Sequence, residues 1–164
     1  MSRPKSDLEA LRQDLHKVYD GNPWHGSSIT QVLKGIDADL AARRSIPRAH
    51  TIWEIVLHMT GWTREVASRV RGAPAKSPPE DWPTARFGAG EPAWKTARDD
   101  LAASQKEVEA AVGALKPDDL IRWIENQAGT SCTVGTVIRG LLQHHTYHEG
   151  QIAILKRAAE TSKT

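Results

Sequence analysis

Between Val134 and Leu155 one set of positions recurs every three or four residues: Val134, Val137, Leu141, His144, His148, Ile152 and Leu155. That period, held for about six turns, specifies a long amphipathic helix whose stripe must be buried against other elements. Two members of the stripe are imidazoles, and His148 lies nearly at its centre. Whatever core the chain builds has to find partners for those ring nitrogens.

Three more stretches carry the same period. Ser6-Asp7-Leu8-Glu9 has the form of a capping box, and Leu8, Leu11, Leu15 and Val18 continue as a helix to about Tyr19. Asp20-Gly21-Asn22-Pro23 stops it. A second capping box, Ser28-Ile29-Thr30-Gln31, opens a short helix weakened by Gly35, and Asp37 starts a further turn through Leu40. The second long helix begins near Thr51 and carries Ile52, Ile55, Val56, Met59, Trp62, Val66 and Val70. The third begins at Pro92, a suitable first helical residue, and runs from Trp94 to Leu115. Residues 72 to 92 hold five of the nine prolines, which makes them a long irregular crossover. Lys116 to Leu120 breaks the third helix, Leu120 to Ile124 reads as a short helical turn and Glu125 to Thr130 as loop. Thr133 caps the fourth helix, and the tail after Arg157 reads as frayed. The expected fold is all-α, a four-helix bundle with a short helical insertion after the first helix and a long crossover between the second and third. It forms one domain over residues 1–164.

Composition narrows the function classes. The 22 Lys and Arg residues nearly balance 20 Asp and Glu, too small an excess to argue for nucleic acid. No apolar run approaches 18 residues, so no membrane span is expected. The first residues lead into an amphipathic pattern without a hydrophobic signal region, and the expectation is a cytoplasmic protein. Cys132 is the only cysteine, which rules out an internal disulfide and a cysteine-based metal cluster. There is no glycine-rich phosphate loop and no dinucleotide fingerprint.

What remains is the histidines. His144 and His148 are four apart and share one helix face, a spacing at which two imidazoles can bind one divalent ion while another helix supplies a third ligand. His145 falls on the other side of the stripe's centre, three from His148, and angle alone does not separate it from His144. The four-residue pair is preferred because its side chains are closer to parallel, leaving His145 as neighbour. His58, on the second helix, lies at the border of the apolar sector, which suits either a ligand at the rim of a core or a plain boundary histidine. Glu54 and Glu65 flank it along the same strip, where either can orient its ring or stand solvated. His25 reads as a loop residue, His50 as a surface or capping residue. Trp24, His25, Trp62 and Trp82 are candidates for pocket lining, and His25 or Glu149 for a closing fourth ligand.

Two segments, Ile52-Trp53-Glu54-Ile55-Val56-Leu57-His58-Met59-Thr60-Gly61-Trp62 and His144-His145-Thr146-Tyr147-His148-Glu149-Gly150-Gln151-Ile152, resemble the DinB/YfiT-like superfamily of metal-dependent enzymes. Pro23-Trp24-His25-Gly26 and Asp81-Trp82-Pro83 resemble segments of one branch. The likeness implies a four-helix bundle, often a homodimer, with one divalent ion held by His58, His144 and His148. It also implies a small-molecule substrate and thiol-dependent S-transferase or isomerase chemistry, in which the ion activates a low-molecular-weight thiol as co-substrate. Metal-assisted hydrolysis is the alternative within the enzyme class, and a non-catalytic metal-binding stress protein the alternative outside it. Imidazole ligands favour zinc or nickel.

Overall fold

The computed structural model describes residues 6–84, 90–124 and 131–161. It is all-α in character, as expected. Four long helices, α1 (Asp7–Asp20), α4 (Ile52–Val70), α5 (Gly90–Gly113) and α6 (Val134–Thr161), are joined by two short ones, α2 (Ile29–Leu33) and α3 (Ala38–Ala42), that follow α1. The long helices touch in a ring, α5 on α4, α4 on α6, α6 on α1 and α1 on α5.

Local chemistry explains where the helices begin. Ser6 Oγ accepts the Glu9 N–H at 3.3 Å at the start of α1, and Asp37 Oδ1 accepts the Leu40 N–H at 2.8 Å at the start of α3. At α2 the Gln31 side chain reaches back to the Ser28 N–H at 3.0 Å. At α4 the exchange is fully reciprocal, with Thr51 Oγ1 accepting from Glu54 N–H at 3.1 Å and Glu54 Oε2 from Thr51 N–H at 2.8 Å.

Three helix ends are closed from far along the chain. Arg12 donates to the carbonyls of Val112, Gly113 and Leu115 beyond the end of α5, at 3.3, 2.8 and 2.8 Å. Arg122 donates to Val70 O at the end of α4 at 2.7 Å, and Lys156 Nζ to Val32 O and Lys34 O beside the end of α2 at 3.2 and 2.6 Å. Cations there satisfy orphan carbonyls and complement the helix dipole.

Three boundaries differ from expectation. α5 starts at Gly90, ahead of Pro92, which is accommodated in a first turn where an N–H would have no helical acceptor anyway. Residues Trp123 and Ile124 are not helical. A 3-10 turn covers Pro117–Ile121, and β1 (Trp123–Ile124) then pairs antiparallel with β2 (Cys132–Thr133), Trp123 opposite Thr133. The extended backbone at Arg122 lets its carbonyl accept the Val134 N–H at 2.9 Å. The tail does not fray at Arg157, because Ala159 is fully buried and α6 continues to Thr161. The expected loop 125–130 lies outside the described residues, as does the crossover between 85 and 89.

The buried side chains form two clusters, one including Ile52, Met59, Trp94 and Ile152, the other Leu8, Val66, Val108 and Leu141. On α6 the histidine segment falls between Leu141 of one cluster and Ile152 of the other. On α4 His58 falls between Ile55 and Val66 in the same way. The polar site therefore occupies the seam between two apolar masses.

Candidate metal centre

His58 of α4 meets His144 and His148 of α6 in that seam. The Nε2 atoms of His58 and His144 are 2.9 Å apart, those of His148 and His144 3.1 Å. The three residues offer ligand atoms all within 4.8 Å of one another, near enough to hold a metal ion. His58 and His148 are buried and His144 half-buried.

The partners of the other ring nitrogens fix which protons are present. His58 Nδ1 lies 2.6 Å from the Asp81 carbonyl oxygen, which can only accept, so Nδ1 carries a proton and the neutral ring presents Nε2 as a bare lone pair. His148 Nδ1 lies 2.6 Å from Gln151 Oε1, an amide oriented by donating its Nε2 to Tyr147 Oη at 3.0 Å. The His148 Nε2 is bare by the same logic. His144 Nε2 thus faces two lone pairs with at most one proton to offer, while its Nδ1 is buried without a partner among the described residues. A cation shared by three neutral imidazoles resolves the mismatch, and the donor set fits a divalent ion.

Extra protons do not resolve it. Burial first, then the neighbouring imidazoles, lower His144 from 6.5 to about 3. Burial likewise lowers His148 to about 4, against an opposing pull from its bond to Gln151. His145 is completely enclosed and lowered to about 3, again chiefly by burial. Between these values and about 6.5 the unfolded chain binds more protons than the folded one, so stability falls as pH falls. The metal-free protein should therefore unfold at lower urea concentration at pH 5 than at pH 7.5. Equal midpoints would mean that the imidazoles are not held neutral.

His145 itself turns to α4. Thr63 Oγ1 donates to Met59 O at 2.7 Å, so it accepts from His145 Nε2–H at 3.0 Å. This separates His145 from the triad where angle had not.

The crossover supplies the remaining walls. Trp82 stacks on His58 (centroids 3.8 Å apart, planes 6° apart) and on His50 with its other face (3.6 Å, 4°). Trp62 stands edge-on to His58 and donates its Nε1 to Asp81 Oδ1 at 2.7 Å. A ring gripped by stacking and by Nδ1 is held in one orientation, so Trp82→Leu should lower zinc affinity by about tenfold while leaving helicity unchanged. Chelator competition measures it, and wild-type affinity in the variant would remove Trp82 from the site.

Other candidates are placed elsewhere. The Glu54 carboxylate is engaged by Thr51, by Arg44 at 3.0 Å and by His50 at 3.4 Å, so it caps α4 rather than orienting His58. Glu65 pairs with Arg69 at 2.8 Å. Trp24 is fully exposed. His25 Nδ1 faces Glu149 Oε2 at 3.6 Å, and that carboxyl is raised by burial with His25 opposing. Two residues without an assigned role prove to hold His58 and His148. Gln151 sits three after His148, a spacing that does signal contact on a helix. The Asp81 carbonyl carries no sequence signature, since every residue has one.

A cavity of about 420 Å³ opens onto His58 and His144, walled by Trp62, Val66, Val137 and Leu141. A model of the DinB superfamily matches residues 24–152, taking in all three histidines and the crossover. Neither the curated proteins nor the solved structures compared with the chain give a match. With that match running over most of its length and an all-α architecture around the histidines, the chain belongs to the DinB superfamily.

Proposed function

We propose that the chain is a metal-dependent enzyme whose divalent ion is held by His58, His144 and His148. One observation carries the reading: three imidazole Nε2 atoms converge within 3.1 Å of their neighbours, and two of them are bare because their Nδ1–H groups are spent on Asp81 and Gln151. Three protein ligands leave at least one position open, the pattern of a catalytic rather than a structural site. The side chains best suited to close it, His25 and Glu149, are paired with each other. A divalent ion there supplies a Lewis acid that lowers the pKa of a bound thiol or water. Zinc and nickel both suit imidazole.

The chain's own contribution is to hold the lone pairs of His58 and His148 in place through Asp81, Trp82 and Gln151, and to present the cavity beside His58 and His144. Thiol transfer is preferred on the superfamily likeness, with hydrolysis second. The reading also includes one domain over 1–164, a small-molecule substrate and a homodimer in the cytoplasm. Among the described residues no helix is long and apolar enough to cross a membrane.

Metal analysis of protein purified without a histidine tag tests the site, and about one zinc or nickel per chain is expected. Protein that takes up no stoichiometric ion when supplied with it defeats the enzyme reading. Loaded protein is then assayed with glutathione, bacillithiol and mycothiol against electrophilic acceptors. Turnover with one of them is the expected result, and none with any would leave hydrolysis.

A further inference from the structure

The cavity beside the triad has a defined chemical character. Its floor is apolar, with Val66 and Trp62 from α4 and Val137 and Leu141 from α6. Two charged groups stand at its edge, and both are already engaged. Arg69 donates to Glu65 Oε1 and to Lys76 O at 2.8 Å each, and its guanidinium lies 5.7 Å over the Trp62 ring. Asp81 Oδ1 takes the Trp62 indole proton. Arg69 is therefore no free cation for an anionic ligand, the Asp81 carboxylate keeps its charge and repels one, and apolar sites of this size suit small molecules.

Gly140 is the telling position. It lines the cavity one turn from both Val137 and His144, on the same face of α6. Glycine inside a helix is unfavourable relative to alanine. Gly135 of the same helix has a packing reason, since a Cβ there would meet Leu120 O at 3.1 Å. Gly140 is solvent-exposed at the mouth of the cavity, and a Cβ there would meet nothing within 4 Å among the described residues. Gly150 is equally open but lines no part of the cavity. What Gly140 contributes is empty volume beside a candidate metal ligand.

We infer that this cavity receives an uncharged apolar part of the substrate, an aryl or branched alkyl group, and that Gly140 sets the size it admits. The inference rests on the metal-enzyme reading for its link to catalysis, but its test does not. Indole serves as the probe and indole-3-acetate as its anionic counterpart, titrated by ligand-observed NMR into metal-free wild type, Gly140→Ala and Gly140→Leu, so that no ion can capture the carboxylate, and each sample is then supplied with zinc and analysed for uptake. Indole should bind the wild type at least about tenfold more tightly than the acetate does, and Gly140→Leu should weaken it at least about tenfold. Gly140→Ala is the folding control, and all three should show the same helicity and zinc content. Indole binding unaffected by leucine, or tighter binding of the acetate, overturns the inference. Zinc analysis of the same samples separates the two readings. Protein that takes zinc and not indole overturns the cavity assignment alone. Protein that takes indole and not zinc overturns the metal enzyme and leaves the cavity.

Discussion

His148→Ala should bind zinc at least roughly a hundredfold more weakly than the wild type, by competition with a chelator of known affinity. Apparent zinc free energies of about 10–16 kcal/mol over four ligands average roughly 3 kcal/mol per ligand. Losing one of three is harsher, because two imidazoles cannot fix the geometry of an open site. The natural control is His145→Ala, one helix position from His144 but hydrogen-bonded to Thr63. That variant should lose folding stability through an emptied buried site and keep its affinity for zinc. If His148→Ala retains wild-type affinity and His145→Ala does not, the ligand assignment is reversed.

Trp94→Ala should have the largest effect on folding, a loss of about 4–8 kcal/mol in urea unfolding. Truncating a large buried aromatic to alanine costs about 3–5 kcal/mol, and the partner it strands adds about 1–3 kcal/mol. Trp94 is fully buried, packs against Trp53 of α4 with ring centroids 5.3 Å apart, and donates its Nε1 to Ile36 O at 2.8 Å. It pins the start of α5 to the connector between α2 and α3, and Glu91 reinforces the same junction by accepting the Ala38 N–H at 3.0 Å. Trp94→Phe keeps most of the volume and drops the donor, so its loss should be the smaller part, about 1–3 kcal/mol. A phenylalanine variant as damaged as the alanine one would show that the hydrogen bond, not the packing, dominates.

The helices were legible because burial imposes a period that the residues must keep. Leu8, Leu11, Leu15 and Val18 are all buried, as their spacing required. The break after α5 was readable from Pro117, but the strand pair was not. Two residues on each side carry no alternation to detect, and the pair is flanked by the Val134 N–H donating to the Arg122 carbonyl, a backbone contact with no sequence signature. The pair His144 and His148 could be preferred in advance on its four-residue spacing, while the bond that turns His145 away, to Thr63, could not be seen. Glu54 is the instructive error. Thr-x-x-Glu ahead of an apolar run is a capping box, and that local pattern outweighed its proximity to His58 along the helix.

The donors that close α2, α4 and α5 have a thermodynamic side. Arg12 reaches across about a hundred residues of sequence to the end of α5, Lys156 across still more to α2, and Arg122 across about fifty to α4. None of these caps can form locally. An isolated helix loses its last turn first, because its terminal carbonyls have only water to bind. Here those carbonyls gain their side-chain donors only when distant segments are docked, so unravelling of the ends is tied to separation of the helices. The three ends therefore belong to the global unfolding unit rather than to independent local openings. The same long loops that must close before the caps form place them late in assembly.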